Sequence, residues 1–306
     1  MKTFTSQEIK DFVSKPLFDE RVILNKDPNY PKISIVTPSY NQAQYLERTI
    51  LSVLNQNYPN LEYIIIDGGS TDGSVDIIKK YEKYLSYWVS EKDEGQSHAI
   101  NKGFERATGD FVAWLNSDDT YPPDSLKNVS QHYLNHKICD VIIGSSNSID
   151  KYDNILEVIY VFRYDIIDNI FIRSYPQPST FWRRELLKRI GYLNTNYHLY
   201  LDYDIILRSA LAGAKICVID EILSNNRYYA DIKSVKLIRT RKDERSEIRK
   251  RLTGFDDSTF FFKVIRRLAK IRMKLDLIKR GKLFYLVKTP FVKPFIRRRV
   301  KGALKI

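Results

Sequence analysis

The feature that most restricts the fold is an alternation running from residue 32 to residue 115. Short, almost unbroken apolar runs take turns with longer stretches of helical period. KISIVT (32–37), LEYIIID (61–67), SYWVSE (86–91) and FVAWL (111–115) are rich in β-branched and aromatic residues and too short for helices, so they read as strands. Helices are expected over 44–56, from the GGSTDGS turn to about Leu85, and over 96–107. Strands alternating with helices imply βαβ units joined by right-handed crossovers. Runs that are apolar throughout, rather than every second residue, imply strands covered on both faces. The expected class is therefore α/β, with a mostly parallel central sheet and helices on both sides.

Beyond Asp119 the pattern loosens. A helix is expected over 124–135, a strand over 140–149, mixed short strands and turns over 155–182, a helix over 201–213 and a strand over 215–220. Residues 1–31 form an amphipathic lead-in in which Thr5 and Glu8 have capping-box spacing. Charge divides the chain further. Residues 231–306 hold 25 Lys/Arg against 7 Asp/Glu, whereas residues 1–230 hold 25 against 30. Phe261, Ile265, Leu268, Ile271, Leu275 and Ile278 step by three and four through this basic block, the signature of a helix stripe. The expected organisation is a lead-in (1–31), a catalytic domain (32–230, with halves 32–120 and 121–230) and a basic helical C-terminal extension (231–306). Such a block seeks an anionic partner. Its interleaved aromatics and cations favour a membrane surface, and no recognition motif for nucleic acid accompanies the charge. Cys139 and Cys217 show no metal spacing and no disulfide framework, which suits a reducing cytosol. With no signal-peptide core and no apolar run of ~18 residues, the expectation is a cytoplasmic protein held peripherally on the inner face of the membrane.

The candidate chemistry lies where strands end. In open α/β sheets ligands bind outside the carboxyl ends of strands, and there Asp118 and Asp119 stand side by side. Two carboxylates about 5 Å apart repel by roughly 3 kcal/mol at an effective dielectric near 20. A divalent cation would remove that repulsion, and hard oxygen ligands suit Mg²⁺ or Mn²⁺. The competing reading is a solvated turn that caps the next helix. Asp67 likewise ends a strand before Gly68, Gly69 and Gly73, a turn open either to a ligand or to plain turn chemistry. Neither GxGxxG nor GxxxxGK[ST] occurs, so dinucleotide binding and nucleotide hydrolysis have no support.

TPSYNQAQYLERTILSVLNQ, IIIDGGSTDGS, EGQSHAINKGFERATGDFVAWLNSDD and LDYDIILR occur in this order. Together they resemble the family 2 glycosyltransferases, inverting enzymes of GT-A fold that use nucleotide-diphosphate sugars; the likeness covers roughly residues 32–213. The resemblance implies that Thr37, Tyr40 and Asp67 hold the nucleoside, and that Gly95, Gln96, Asn101, Asn116 and Asp118 complete the donor site. It implies Asp118 and Asp119 as ligands of Mn²⁺ or Mg²⁺, and Asp202 as general base. It further implies a nucleotide-sugar donor, a UDP-sugar first, and a glycan or polyprenyl-linked glycan acceptor. This chain has Asn116 where the family often has Asp, and Ile100 where an Arg usually precedes the Asn.

Physical chemistry supports the same roles. A departing diphosphate gains negative charge, and an acceptor hydroxyl needs a carboxylate to take its proton. Asp202 and Asp204 both qualify; two residues apart near a helix start, they point to different sides, and Asp202 is preferred. His132 and His136 are taken as surface residues, since no HExxH is present. The alternative function is a non-catalytic sugar-nucleotide-binding or scaffold protein, against which the acidic pair and the base candidate both speak.

Overall fold

The computed structural model describes residues 1–161, 163–171, 175–229 and 238–279. They divide between two compact units, the first drawn from residues 1–164 and 175–228, the second from 165–171, 229 and 238–279. The first is built on one eight-stranded sheet.

The lead-in folds as expected into α1 (Ser6–Ser14), whose capping box closes in both directions between Thr5 and Glu8, followed by a short α2 (Glu20–Leu24). Then come β1 (Ile33–Ser39), α3 (Ala43–Leu54), β2 (Leu61–Asp67), α4 (Ser74–Tyr81), β3 (Tyr87–Ser90), α5 (Gln96–Arg106) and β4 (Phe111–Trp114). Pairing is parallel throughout this half, in the order β3-β2-β1-β4. Side chains alternate across the sheet. Ile33, Ile35, Tyr63, Ile65, Phe111 and Ala113 face one core with Leu46, Ile50 and Ile78 from α3 and α4. Val36, Ile64, Ile66, Val112 and Trp114 face the other with Ile100 and Phe104 from α5. Both faces are thus apolar, which is why the runs show no polar alternation. Gly103 sets how closely α5 approaches: a Cβ there would lie 2.3 Å from Val36 Cγ1.

The second half adds α6 (Ser125–Asn135), β5 (Val141–Ile149), β6 (Ile155–Ile159), a 3₁₀ turn (Gln177–Ser179), β7 (Thr180–Arg183), α8 (Arg184–Ile190), α9 (Leu201–Leu211) and β8 (Ile216–Arg227). Between β6 and that turn, α7 (Ile166–Phe171) belongs to the other unit. β7 is antiparallel to β4 and β5, while β8 runs parallel to β5. β8 continues seven residues past the expected strand because its polar end, Ser224 to Arg227, pairs with Ser146 to Ile149. The second unit contains α10 (Ile238–Thr253) and α11 (Phe260–Lys279). The proline-broken stretch after residue 279 lies outside the described residues.

The cysteines need a correction. Cys139 and Cys217 are not separate thiols; they form a disulfide, with Cα atoms 5.8 Å apart. β5 and β8 are neighbours, and Cys217 is level with Ile142, so 78 residues of separation hide a short distance. The pair therefore gives no support to a reducing compartment. His132 is half-buried against it, with Nε2 3.7 Å from Cys139 Sγ, and is not the surface residue expected.

Glu62 clamps the amino end of the sheet. It accepts from Ser34 Oγ (2.5 Å), Thr108 N (2.7 Å) and Thr108 Oγ1 (2.6 Å), and pairs with Lys32 Nζ at 2.7 Å. Burial pushes its carboxyl up, but the bonds from Lys32, Ser34 and Thr108 together outweigh this and hold its pKa at about 2, below the ordinary 4.5. A carboxyl depressed by folding stabilises above its unfolded pKa, and that stability is lost as pH falls through the folded value. Glu62→Gln should therefore be less stable than wild type near neutrality. The gap in urea midpoint should close as pH drops from 4.5 toward about 2; a gap independent of pH would refute the clamp.

Candidate functional site

Strand order reverses between β1 and β4, which places the crevice of an open α/β sheet at their carboxyl ends. Register brings Ser39, Asp67 and Ser90 level across β1, β2 and β3. Asp67 is fully buried. Its Oδ2 accepts from Gly69 N (3.1 Å), Ser70 N (2.8 Å) and Ser90 Oγ (2.7 Å), and its Oδ1 from Ser70 Oγ (2.6 Å). The carboxylate thus shapes the GGS turn and keeps a lone pair on Oδ1. Beside it the buried Ser39 hydroxyl has no partner among the described residues. The Tyr40 ring is exposed over Gly68, where a Cβ would lie 3.2 Å from Tyr40 Cδ2 and 2.7 Å from Asp93 Oδ2. Only glycine admits both neighbours. Thr37, in contrast, is buried with its hydroxyl 3.1 Å from that of Tyr63.

Gly95 opens α5 with φ +109° and donates its N–H to Asp93 Oδ1 at 2.7 Å. The next residue, Gln96, donates to Asn116 Oδ1 (2.8 Å), and Asn116 donates in turn to Asp119 Oδ2 (3.2 Å). These three expected residues are joined directly. Asn101 does something else: its amide pairs both ways with the Leu193 backbone (2.9 and 3.0 Å), fastening the turn after α8.

The acidic pair is asymmetric. Asp118 is half-buried, whereas Asp119 is only 3% exposed. Asp119 Oδ1 accepts from Arg227 N (2.8 Å), and its carbonyl from Thr49 Oγ1 (2.7 Å). Burial, then the charge of Asp118, push the Asp119 carboxyl far above the usual range; the bonds from Arg227 and Asn116 offset only part of this. Asp119's hydrogen-bond donors, a backbone N–H and an amide, are neutral. Hard carboxylate oxygens, one of them destabilised in its charged form, are of the chemistry that fits a divalent cation.

Asp202 and Asp204 both lie in the first turn of α9. Asp204 is fully buried and bound by Arg208 at 2.7 Å, and Arg208 also reaches the carbonyls of Ile190 (2.6 Å) and Tyr192 (2.5 Å). Its charge is thereby committed to holding α9 against the end of α8. Asp202 is 5% exposed, its Oδ1 accepts from Tyr203 N (2.8 Å), and its carbonyl takes the Tyr175 hydroxyl (2.6 Å). Two residues from Tyr175, Gln177 donates to Trp114 O (2.8 Å), and its Oε1 lies 3.4 Å from Asn116 Nδ2. One loop therefore ties the start of α9 to the end of β4.

Sequence reasoning missed Arg227, which is fully buried behind the pair. Nε donates to Asp118 O (2.7 Å), Nη1 to Asp150 O (2.9 Å) and Nη2 to Asp153 Oδ1 (2.6 Å), and the guanidinium lies 4.6 Å from the Tyr45 ring centre. No local pattern marks it, for an Arg at a strand end reads as a surface residue.

Comparison with known proteins bears on the family and the fold. The family model for glycosyl transferase family 2 matches residues 34–191, about half of the chain. A putative teichuronic acid biosynthesis glycosyltransferase, TuaG of Bacillus subtilis, is 45% identical over 100 residues, covering 32% of this chain and 40% of that protein. The chain spans about half the length of the curated relatives it matches, 40% to 56% for the first three. Among solved structures, S. aureus TarS 1–349 in complex with UDP-GlcNAc superposes with a TM-score of 0.52 at 19% identity, over 78% of this chain and 79% of that one. The mannosyltransferase PcManGT from Pyrobaculum calidifontis, in complex with GDP-Man and Mn²⁺, gives 0.57 at 20% identity, over 87% and 75%. At these identities the likeness shows the fold, the GT-A type with a mostly parallel sheet.

Arg227 should matter to stability as well as to geometry. Arg227→Met leaves the buried Asp153 carboxylate with the half-exposed Arg48 at 2.9 Å, and should cost about 3 kcal/mol. Arg48→Met should cost less than about 1 kcal/mol. Urea unfolding of the two variants checks the order; equal losses would deny Arg227 its role.

Proposed function

This chain belongs to glycosyl transferase family 2, and from that premise we propose an inverting transferase that moves a sugar from a nucleotide-diphosphate sugar to a hydroxyl of a glycan or lipid-linked glycan. The observation that carries the proposal is the acidic pair at the end of β4, with Asp119 buried among neutral donors and its charge disfavoured. Asp118 and Asp119 would hold Mn²⁺ or Mg²⁺, which when bound supplies Lewis-acid stabilisation of the departing diphosphate, worth several kcal/mol. Support for a cation and a nucleotide sugar also comes from PcManGT, which binds GDP-Man and Mn²⁺, and from TarS, which binds UDP-GlcNAc. A UDP-sugar is the first donor to test.

The chain's own residues do the rest. Asp67 holds the GGS turn in shape, and with Tyr40 and the Ser39 hydroxyl it offers one apolar face and two polar groups to a nucleoside. Gln96, through Asn116, holds Oδ2 of Asp119. Asp202 takes the proton of the acceptor hydroxyl as that oxygen attacks the anomeric carbon, so one displacement inverts the centre. Asp204 is the weaker base candidate because Arg208 already binds it. Envelope polysaccharide synthesis is the context suggested by the name of the TuaG relative. A polyprenyl-linked acceptor would place the enzyme at the inner face of a membrane, with the basic residues 231–306 against its anionic lipid.

Two measurements test this. In a thermal-shift panel of nucleoside diphosphates and their sugars, one donor should stabilise the protein by a few degrees only with Mn²⁺, and Asp118→Asn should remove that metal-dependent gain. Asp202→Asn should keep the shift and lower transfer by ~10²- to 10⁴-fold. Undiminished turnover in Asp202→Asn would retire the base assignment, and a shift indifferent to metal would retire the cation.

A further inference from the structure

Helix α11 presents three faces. On the first, Phe262 and Ala269 are buried; the Phe262 ring packs 4.9 Å from that of Phe171 on α7, and Arg272 pairs with Asp165 and Asp168 at 2.8 Å. That face is used up within the C-terminal unit. On the second lie Phe261, Val264, Leu268, Ile271, Leu275 and Ile278, between 37% and 63% exposed, with Phe260 beside them at 81%. At about 100° per residue these six fall in a sector roughly 100° wide, running nearly the whole ~30 Å of the helix. The third face carries Lys263, Arg266, Arg267 and Lys274, all exposed. Of the expected stripe, Ile265 alone turns partly inward; the rest stands uncovered among the described residues.

We propose that this uncovered face of α11 lies in the boundary between headgroups and acyl chains of an anionic bilayer, apolar stripe inward and cations at the level of the lipid phosphates. The inference deepens the membrane-surface reading given above and rests on it. A continuous apolar patch of this extent is unusual on a surface that meets only water. Among the described residues no helix is long and apolar enough to cross a membrane, and a helix with one cationic face lies in the interface plane rather than across it. Charge selects the occupant. The helix holds seven Lys/Arg and one Asp, and Arg267 and Lys274 border the stripe, so a second copy packed on it would bring like charges together. An anionic leaflet attracts the same residues.

The test is flotation of the full chain with vesicles of phosphatidylcholine alone or with about a third phosphatidylglycerol. Wild type should float with the anionic vesicles and lose most of that binding at high salt. Leu268→Glu/Leu275→Glu, which alters only exposed positions, should lower partitioning roughly tenfold or more. Arg267→Gln/Lys274→Gln should weaken the preference for anionic lipid. Far-UV circular dichroism and the nucleotide thermal shift should be unchanged in both variants. Equal flotation on both vesicle types, no flotation, or full binding by the Leu268/Leu275 variant overturns the proposal. So does a dimer by light scattering that the same variant abolishes, which would assign the face to a second copy. The nucleotide shift is read on the same samples, so a failed donor site and a failed membrane face give different patterns.

Discussion

The acidic loop stays where it is because one guanidinium is buried behind it. Arg227 reaches a carbonyl of that loop, a carbonyl and a carboxylate of the β5–β6 turn, and the ring of Tyr45 on α3. An ion pair taken out of water adds little net stability, since desolvation offsets the attraction. What it contributes is geometry: a planar fork of donors satisfied in only one arrangement. Arg227 ends β8, while Asp118 and Asp119 follow β4, so the fork also joins strands far apart in the chain. The backbone N–H of the same residue donates to Asp119 Oδ1, so one position sets both the seat of the loop and one oxygen of the pair.

A polar layer inside the second half carries that position further. Ser179 and Ser224 share a hydrogen bond of 2.5 Å, Asn147 donates to Asn225 Oδ1 (2.8 Å), and Asn225 donates to Thr120 Oγ1 (3.0 Å), next to Asp119. Such a network is tolerable in an interior only when its members are satisfied, and then it specifies one register. It accounts for the long polar end of β8. Serines and asparagines that would read as loop find partners in β5, where the strand is equally polar.

This explains what was legible in the sequence and what was not. β2 matches its expected bounds, and β1, β4 and α5 lie within two residues of theirs, because each is announced by local apolar period and by turn residues at its end. β8 past Asp220, the Cys139–Cys217 bond and Arg227 depend on pairings between residues some 75 to 110 positions apart, which periodicity does not encode. The candidate site residues differ in their surroundings. Asp67 and the Asp118–Asp119 pair stand at strand ends, where the chain places few carboxylates without cause. Asn101 looked equally suited to a ligand, yet its amide is held by the backbone of Leu193. Nothing local separates an asparagine that fastens a turn from one that meets a ligand.

Partners, rather than residue type, sort the carboxylates of this unit into roles. Asp67 receives four donors from its own turn and from Ser90, and so acts as a scaffold. Asp204 and Asp153 are each bound by an arginine, which makes them positional. Asp119 is buried equally deeply but takes hydrogen bonds only from neutral donors, and burial, then the charge of Asp118, push its carboxyl up. A fold that merely needed a polar turn at the end of β4 would gain nothing by burying a carboxylate beside another. Under the function proposed above the asymmetry has a use: the balancing charge would arrive with a diphosphate-bound cation, and a site that neutralised itself would have less to offer it.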